Sequence, residues 1–414
     1  MLKKILIVML AIGLIIAGIF LFTYKPQGES TETDSVDIDN FFPSGDGETS
    51  TEGGVVGENG IDSNSLPTSQ IPRLQQISKN PTSGAGIVRL TKGDVVRFID
   101  KATGHIFETS LEKVSPAKIS NTTIPKIYES VWTENGSGVI IRYLKEDKVT
   151  IESFYAKLKS ATSTNIEDGV NPQTLEGSFL PQNIQTLAVS PQQTKIFFLT
   201  ETVDGSVGIE TNPDGTKRNE IIESPLKEFI VSWPSSNTLA LTTKASFGER
   251  GILYLLNRTT LSLEKTLAAT ALTTLVAPDA VRVLYTENIG GLTQTAIFDS
   301  KTKQTASFPL QTLPEKCVWS RTEKDVVYCA VPKESLFGNF PDTWYQGKVT
   351  FSDEMWKVDL ESGITTLLTN PTTEARQDID MINLVLSVNE DYIVFTNKKD
   401  DSLWRVRINS IEEN

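Results

Sequence analysis

The chain has 414 residues, a formal net charge of −13 at pH 7, one histidine and two cysteines. A zinc site needs three or four nitrogen, sulfur or carboxylate ligands, so this inventory argues against a metal centre. The acidic balance and the lack of a basic stripe argue against binding to nucleic acid. A Ser-His-Asp or Cys-His mechanism would have to use His105, which we interpret as a structural strand residue. We therefore predict no catalytic residue, no metal and no cofactor.

The N-terminal segment contains an apolar run without a charge, Ile5–Phe22. Its length reaches the threshold for a membrane-spanning helix, and the lysines at positions 3 and 4 place the N-terminus in the cytoplasm. No small-residue cleavage site follows the run, so we predict an uncleaved single-pass anchor over residues 1–25. A cleaved signal peptide is the alternative. With the anchor in place, the rest of the chain is expected on the extracytoplasmic side of the cell membrane.

Residues 26–71 are acidic and rich in Gly, Ser and Thr. From Gln27 to Pro72 the chain has ten aspartates and glutamates and no lysine or arginine. Such a composition cannot bury enough apolar surface to offset its ordering entropy, and its like charges extend it further. The segment therefore predicts a disordered linker between the anchor and a globular part over residues 72–410.

A repeated unit of about 42 to 45 residues runs from near residue 84 to the C-terminus. Each unit has a short hydrophobic strand, a Trp, Ser or Pro, a polar turn and a second apolar strand, as in Ala188–Thr200 and Val231–Thr243. This period, with several strands in each unit, is typical of a β-propeller. First strands near residues 87, 131, 188, 231, 275, 317 and 385 predict an all-β fold with seven blades. Six or eight blades remain possible because two units are longer, and a string of β-sandwiches is the main alternative.

The last unit lacks a fourth strand, because it ends with the third strand just before the C-terminus. Arg73–Ser78 precedes the first unit and has the character of a fourth strand. We predict that it pairs with Leu403–Ile408 and closes the ring, which removes the exposed edges of an open stack.

The pattern of an apolar strand, Trp or Ser, Pro and a turn resembles the TolB-type and WD40-like propeller repeats of bacterial envelope proteins. The residues that carry it are Ser190-Pro191, Ser232–Pro234, Ala277–Asp279 and Trp319-Ser320, within residues 72–408. The chain also resembles a group of membrane-anchored propellers from uncultured small-genome bacteria, through runs similar to Lys101–Glu108, Ile119–Pro125, Leu313–Ser320 and Phe340–Gly347. Both resemblances imply a propeller. The usual Ser-Pro-Asp-Gly turn is degenerate here, and neither resemblance implies a specific activity.

Cys317 and Cys329 lie on the first and second strands of the sixth unit. In a hairpin they fall opposite each other or one residue apart, and an extracytoplasmic location would permit a disulfide. A register slip of one residue would forbid the bond. We predict the disulfide, with two buried thiols as the alternative.

The sixth unit also has an insertion between its second and third strands, Pro332–Glu354, which is rich in aromatic and acidic residues. Trp and Tyr beside acids can bind a sugar, a peptide or a cationic group. The candidate binding residues are Phe340, Asp342, Trp344, Tyr345 and Asp353. Alternatively, these aromatic residues cap the hub or pack over blade seven. A second acidic pair, Asp378 and Asp380, is interpreted as solvated surface.

Taken together, these features predict a binding or scaffolding module of the cell envelope, whose partner is a protein or a glycan. The alternative is a hydrolase that acts on peptide or polysaccharide through carboxylates on the loop-rich face. That reaction would need two carboxylates about 5 to 10 Å apart in a central cleft. A structural part of a surface appendage or secretion apparatus is a third possibility.

Overall fold

The computed structural model describes residues 36–37, 72–160 and 173–409. Seven separate antiparallel sheets follow one another along these residues and form a seven-bladed β-propeller. The predicted anchor, Ile5–Phe22, and most of the predicted linker lie outside the described residues. Within the part of the chain that the structure describes, no helix is long and apolar enough to cross a lipid bilayer.

The strands are numbered in chain order, beginning with β1 (Val36–Asp37) and β2 (Leu74–Ser78). Blade 1 contains β3 (Thr82–Leu90), β4 (Gly93–Asp100), β5 (Ile106–Ser110) and β6 (Ala117–Lys118). Blade 2 contains β7 (Ile127–Thr133), β8 (Gly138–Leu144), β9 (Ile151–Ser160) and β10 (Gln173–Phe179). Blade 3 contains β11 (Ile184–Val189), β12 (Ile196–Thr202), β13 (Gly205–Thr211) and β14 (Asn219–Ser224).

Blade 4 contains β15 (Phe229–Ser235), β16 (Thr238–Thr243), β17 (Arg250–Asn257) and β18 (Leu263–Thr270). Blade 5 contains β19 (Thr273–Val276), β20 (Arg282–Ile289), β21 (Leu292–Asp299) and β22 (Thr305–Ser307). Blade 6 contains β23 (Cys317–Trp319), β24 (Val326–Pro332), β25 (Asp353–Asp359) and β26 (Thr365–Thr369). Blade 7 contains β27 (Met381–Leu386), β28 (Tyr392–Asn397) and β29 (Leu403–Arg407), and takes β2 as its fourth strand.

Helical structure is limited to single turns in the described residues. Two 3-10 turns, Glu134–Gly136 and Pro314–Lys316, lie beside first strands of blades 2 and 6. Two short α-helices, α1 (Asp342–Tyr345) and α2 (Pro371–Glu374), lie in the connections around blade 6.

The second strand of each blade is the most apolar because both of its faces pack on neighbouring sheets. In blade 3, all four residues of Ile196–Leu199 are buried. Phe197 and Leu199 form one hydrophobic cluster with Val231 and Leu241 of blade 4. Similar clusters lie between other pairs of blades, so the core of the protein is a ring of sheet-to-sheet contacts.

The antiparallel pairing sorts the connections to two ends of the ring. Loops between second and third strands, and the links from one blade to the next, gather at what we call the loop end. Hairpin turns between first and second strands, and between third and fourth strands, gather at the opposite turn end. Since β2 is a fourth strand, the chain enters the propeller at the turn end.

The prediction that the ring closes through an N-terminal strand is confirmed. β2 pairs with β29 in the order β2-β29-β28-β27, and Leu74 lies opposite Val406. The predicted seven first strands also coincide with β3, β7, β11, β15, β19, β23 and β27.

Two outer edges of blades are irregular. The fourth strand of blade 1 is short and covers only Ala117–Lys118. In blade 2, β1 pairs with β10, with Val36 opposite Gly177, and adds a fifth strand. An outermost strand has unpaired backbone N–H and C=O groups, which explains why two residues of the predicted linker pair there.

Candidate functional site

The insertion between β24 and β25, residues 333–352, lies at the loop end of the propeller. Hydrogen bonds tie it to three other blades: Gly338 N–H to Gly291 O of blade 5 (2.7 Å), Phe247 N–H of blade 4 to Asp342 Oδ1 (3.0 Å), and Lys398 Nζ of blade 7 to Trp344 O (2.9 Å). Together with blade 6 itself, these are four consecutive blades, so the insertion covers one side of the loop end. We call residues 333–352 the cap.

The cap has an apolar core of its own. Phe340, Trp344 and Phe351 are buried together with Leu313 and Leu336. The ring centroids of Phe340 and Phe351 are 5.7 Å apart, and those of Trp344 and Phe351 are 6.2 Å apart. Aromatic side chains bury large areas, so this cluster holds the cap on the blades beneath it.

Three ionisable side chains without exposure lie beneath the cap: Lys316, Asp353 and Asp380. Lys316 Nζ is 2.7 Å from Asp353 Oδ2 and 2.5 Å from Asp380 Oδ1. Asp380 Oδ2 accepts hydrogen bonds from the indole N–H of Trp344 (3.0 Å) and the backbone N–H of Phe351 (3.1 Å). The two carboxylates therefore share one ammonium group in a sealed, aromatic-walled space.

Burial dominates the electrostatics of this group. Desolvation raises the pKa of Asp353 to about 6, although the Lys316 ammonium opposes the shift. Asp353 Oδ2 accepts a hydrogen bond from the backbone N–H of Met381 (2.6 Å). Asp353 Oδ1 is buried and has no hydrogen-bond partner in the described part of the chain. Removing ions from water costs several kcal/mol each, so the site depends on the close contacts that compensate this loss.

The sequence interpretation of Asp380 as solvated surface is wrong. Asp378 is exposed in the loop, whereas Asp380 directly precedes β27 and is fully buried. Lys316 was not singled out in the sequence at all. The sequence feature that could have identified Lys316 is its position directly before the strand Cys317–Trp319. A charged residue that is buried beside such a strand needs a partner inside the protein.

Cys317 lies directly opposite Cys329 in the pairing of β23 with β24. Their Sγ atoms are bonded, and their Cα atoms are 4.1 Å apart. The exposed fractions of the two residues are 7% and 0%, so the disulfide lies inside blade 6, next to Lys316.

The five predicted binding residues lie together but differ in access. Phe340, Trp344 and Asp353 are buried, whereas Asp342 and Tyr345 are half-buried. The hydroxyl of Tyr345 donates a hydrogen bond to Glu315, and burial raises the pKa of Tyr345 well above its ordinary value. These residues mainly contact other parts of the protein, as expected if they cap the hub. Direct contact with a ligand stays a prediction.

His105 lies one residue before β5 and is half-buried. Its Nε2 is 3.4 Å from the hydroxyl oxygen of Thr123, and desolvation lowers its pKa. Across residues 72–160 and 173–409, no three His, Cys, Asp or Glu side chains are grouped as ligands for a metal ion.

Two adjoining cavities lie along the first strands and over the turn end of the ring. A smaller cavity of about 270 Å³ lies at the loop end, beside Ile77 and Phe98. Of the two adjoining cavities, one has a volume of about 780 Å³ and is lined by first strands of blades 1, 2, 3 and 7. The other, of about 520 Å³, extends over the hairpin turns of blades 2 to 6. The residues that line both cavities are Trp132, Val189, Pro191, Gln193 and Arg321. We call this region the channel mouth.

Three tryptophans occupy equivalent positions at the channel mouth, in blades 2, 4 and 6. Trp132, Trp233 and Trp319 each lie near the end of a first strand and are 5 to 8% exposed. The indole N–H of Trp319 donates to the carbonyl of Leu275 in the preceding blade (3.1 Å). The corresponding nitrogen of Trp233 is buried and lacks a partner within the described ranges. The mouth is therefore walled by indole rings that pack between blades.

Arg321 is an exposed cation at this mouth. Its backbone N–H and that of Thr322 donate to Glu390 Oε1 of blade 7 (2.6 and 3.2 Å), and the Ser320 hydroxyl donates to Glu390 Oε2 (2.6 Å). These bonds fix the hairpin turn, while no carboxylate of the described residues forms an ion pair with the guanidinium. The group is thus held in place by its backbone and available to solvent.

No protein-family model matches the chain, and no curated protein matches it either. Among solved structures it is similar to an oligogalacturonate lyase from Vibrio parahaemolyticus, with 9% identity, a TM-score of 0.52, and coverage of 81% of this chain and 94% of that one. It is also similar to TolB from Acinetobacter baumannii (11% identity, 78% of each chain, TM-score 0.41). The Pan2 WD40 domain of Neurospora crassa is a further neighbour (10% identity, 83% of this chain and 99% of that one, TM-score 0.49). TolB and WD40 propellers are therefore among the structural neighbours. The similarity to the lyase, with a TM-score above 0.5, shows the fold alone.

Proposed function

We propose that this protein is a binding or scaffolding module that receives its partner at the channel mouth. The observation that carries the proposal is that two adjoining cavities, of about 780 and 520 Å³, meet beside the exposed Arg321 at the turn end. At the loop end, the cap covers blades 4 to 7.

The residues of the channel mouth suit recognition of a protein segment or a glycan. Trp and Arg are the residue types most enriched among the strongest contributors to binding energy. The indole rings leave only a small apolar surface exposed, and the exposed Pro191 adds to it. Gln193 offers an amide, and Arg321 offers a charge for a carboxylate on the partner. Because the mouth is built on the ends of β-strands, its shape is set before the partner arrives.

We also propose that the protein is attached to the cell envelope. The run Ile5–Phe22 would anchor the chain in the membrane, and residues 26–71 would tether the propeller on the extracytoplasmic side. β1 pairs with the outer edge of blade 2, and β2 starts at the turn end, the end that also has the channel mouth. A partner of the envelope, protein or glycan, is the class expected in that compartment.

A hydrolase of peptide or polysaccharide is the alternative, and its catalytic carboxylates would lie at the loop end. Asp353 and Asp380 are close enough to share the Lys316 ammonium, but neither has any exposure. A substrate would have to displace the cap to reach them. This closed arrangement is why binding is proposed ahead of hydrolysis.

The experiment compares three sites of a photoreactive amino acid in native cells: Gln193 at the channel mouth, Phe337 on the cap and Glu220 on an outer strand. We expect one defined partner to be captured from Gln193 and not from Glu220. Arg321→Glu should lower that capture roughly tenfold, as expected for loss of about 1.4 kcal/mol of binding energy. Capture that is equal from Glu220, or unaffected by Arg321→Glu, would contradict binding at the mouth. Capture from Phe337 alone would move the site to the cap.

A further inference from the structure

The buried group under the cap brings a side-chain amine into contact with a carboxylate in a space closed to water. Lys316 Nζ lies 2.5 Å from Asp380 Oδ1, and both residues have no exposure. In intramolecular reactions, reacting groups that are held close together and well oriented reach effective concentrations on the order of 10⁵–10⁸ M. The surrounding Trp344 and Phe351 rings, each about 5 Å from Nζ, exclude the water that would favour separate ions.

The carboxylate of Asp380 is also placed against hydrogen-bond donors. Its Oδ2 accepts the indole N–H of Trp344 at 3.0 Å and the backbone N–H of Phe351 at 3.1 Å. Fixed donors aimed at one oxygen are the arrangement that stabilises the negative charge of a tetrahedral intermediate in acyl transfer. After the reaction, the same donors would bind the carbonyl oxygen of an amide.

A second carboxylate is within reach of the same amine. Asp353 Oδ2 lies 2.7 Å from Lys316 Nζ, and its Oδ1 has no partner within the described part of the chain. Desolvation raises the pKa of Asp353 to about 6, so it can both accept and return a proton near neutral pH. No group of the binding proposal is involved, because the channel mouth lies at the other end of the ring.

We propose that Lys316 and Asp380 join in an isopeptide bond, with Asp353 as the catalytic residue that carries the protons. Asp353 takes a proton from the Lys316 ammonium, and the free amine attacks Cγ of Asp380. The new C–N bond forms, Oδ2 holds the negative charge, and Asp353 passes protons from the nitrogen to Oδ1. The Cγ–Oδ1 bond then breaks and one water leaves. An ammonium and a carboxylate become an amide and water, so no oxidant, reductant or other reactant is required.

The bond would remove a buried ion pair and replace it with a neutral amide, which costs less to keep away from water. It would join the turn before β23 in blade 6 to the residue before β27 in blade 7. Cys317, the next residue after Lys316, is already bonded to Cys329. Blade 7 combines β2 with β27–β29 and closes the ring, so the cross-link would fasten the blade in which the first and last strands of the propeller meet.

The test is the intact mass of the full-length chain after reduction and denaturation. We expect the mass of the intact chain to be lower than the mass calculated from the sequence by one water molecule. A protease digest of the same chain should contain a branched peptide that joins the Lys316 and Asp380 segments. The Lys101–Asp401 pair serves as a control in the same digest, because its atoms are 2.7 Å apart but its side chains are 34% and 36% exposed. That pair should give two separate peptides.

Two variants assign the roles. Lys316→Met removes the nucleophile. Asp353→Asn keeps both reacting groups but removes the proton carrier. Each variant should therefore have the full mass calculated from its own sequence, without the loss of water. A wild-type chain with the full mass would overturn the proposal, whatever the variants do. So would a water loss that maps elsewhere, for example to a succinimide at Asp214-Gly215. The same cross-link at undiminished yield in Asp353→Asn would remove Asp353 from the mechanism.

Discussion

Gln75 and Arg405 lie opposite each other in the blade that closes the ring, although 330 positions separate them in the chain. Gln75 Oε1 accepts a hydrogen bond of 2.6 Å from Arg405 Nη2. The guanidinium is fully buried and lies over the Tyr392 ring at 5.1 Å from its centroid. Desolvation lowers the pKa of Arg405 to about 10. The first and last strands of the propeller therefore meet through a buried cation whose main partner is a neutral amide.

This contact predicts an asymmetric double-mutant cycle. Gln75→Leu leaves the buried guanidinium without its acceptor and should destabilise the protein by about 1–3 kcal/mol in urea denaturation. Adding Arg405→Met removes the stranded charge, so the double variant should regain most of that loss. A double variant no more stable than Gln75→Leu would contradict the view that the unpaired cation causes the loss.

Ring closure by β2 should dominate stability. Leu74 is buried in the cluster shared with blade 6, and Ile77 in the cluster shared with blade 1. Replacing both with Ala should cost about 2–5 kcal/mol for each side chain, and deletion of Arg73–Ser78 should lower the melting temperature further. Leu263→Ala is the control, because that side chain is 42% exposed. An unchanged melting curve for the deletion would mean that the ring does not depend on this strand.

Two aromatic residues of the cap form a matched pair for separating packing from binding. Trp344 is 3% exposed and Phe337 is 68% exposed. Trp344→Ala should lower the free energy of unfolding by about 3–5 kcal/mol, because it empties the core of the cap and removes a donor to Asp380. Phe337→Ala should leave stability within about 0.5 kcal/mol. Equal stability of the two variants would show that the cap core is not formed in solution.

The disulfide of blade 6 should contribute measurably to stability. The bond closes a loop with a sequence separation of 12. Replacing both Cys317 and Cys329 with Ala should therefore cost about 2–4 kcal/mol, and reductant should lower wild-type stability to a similar extent. Maleimide labelling after denaturation without reductant provides the check on the bond itself. Two labelled thiols in that assay would show that it does not form.

Glu315 should make stability depend on pH. Burial raises the pKa of this carboxylate above its ordinary value of 4.5, and its Oε2 is buried without a partner in the described residues. The folded protein thus binds a proton more readily than the unfolded chain, and stability falls as pH rises through the unfolded-state and then the folded-state pKa. Glu315→Gln keeps an acceptor for Tyr345 but cannot ionise.

The melting temperature of Glu315→Gln minus that of the wild type should therefore increase from about pH 4 to about pH 7. A difference for Glu315→Gln that stays flat or decreases over this range would mean that the carboxylate is not destabilised by burial.

The amino-acid sequence determined the blades and their closure because both depend on local patterns. Alternating apolar residues, turn residues and a regular period mark each strand, and the missing fourth strand of the last unit pointed to Arg73–Ser78. Cys317 and Cys329 were readable in the same way, since a hairpin relates residues close in sequence.

The contents of the two ends of the ring were decided only by the tertiary structure. Lys316, Asp353 and Asp380 come from three separated segments, and Asp380 by itself has the sequence context of a surface residue. The channel mouth likewise joins Trp132, Trp233 and Trp319, which are each about two repeats apart. A local pattern shows which residues a strand buries, but only the closed circle shows which charged side chains are buried against one another and which remain in solvent.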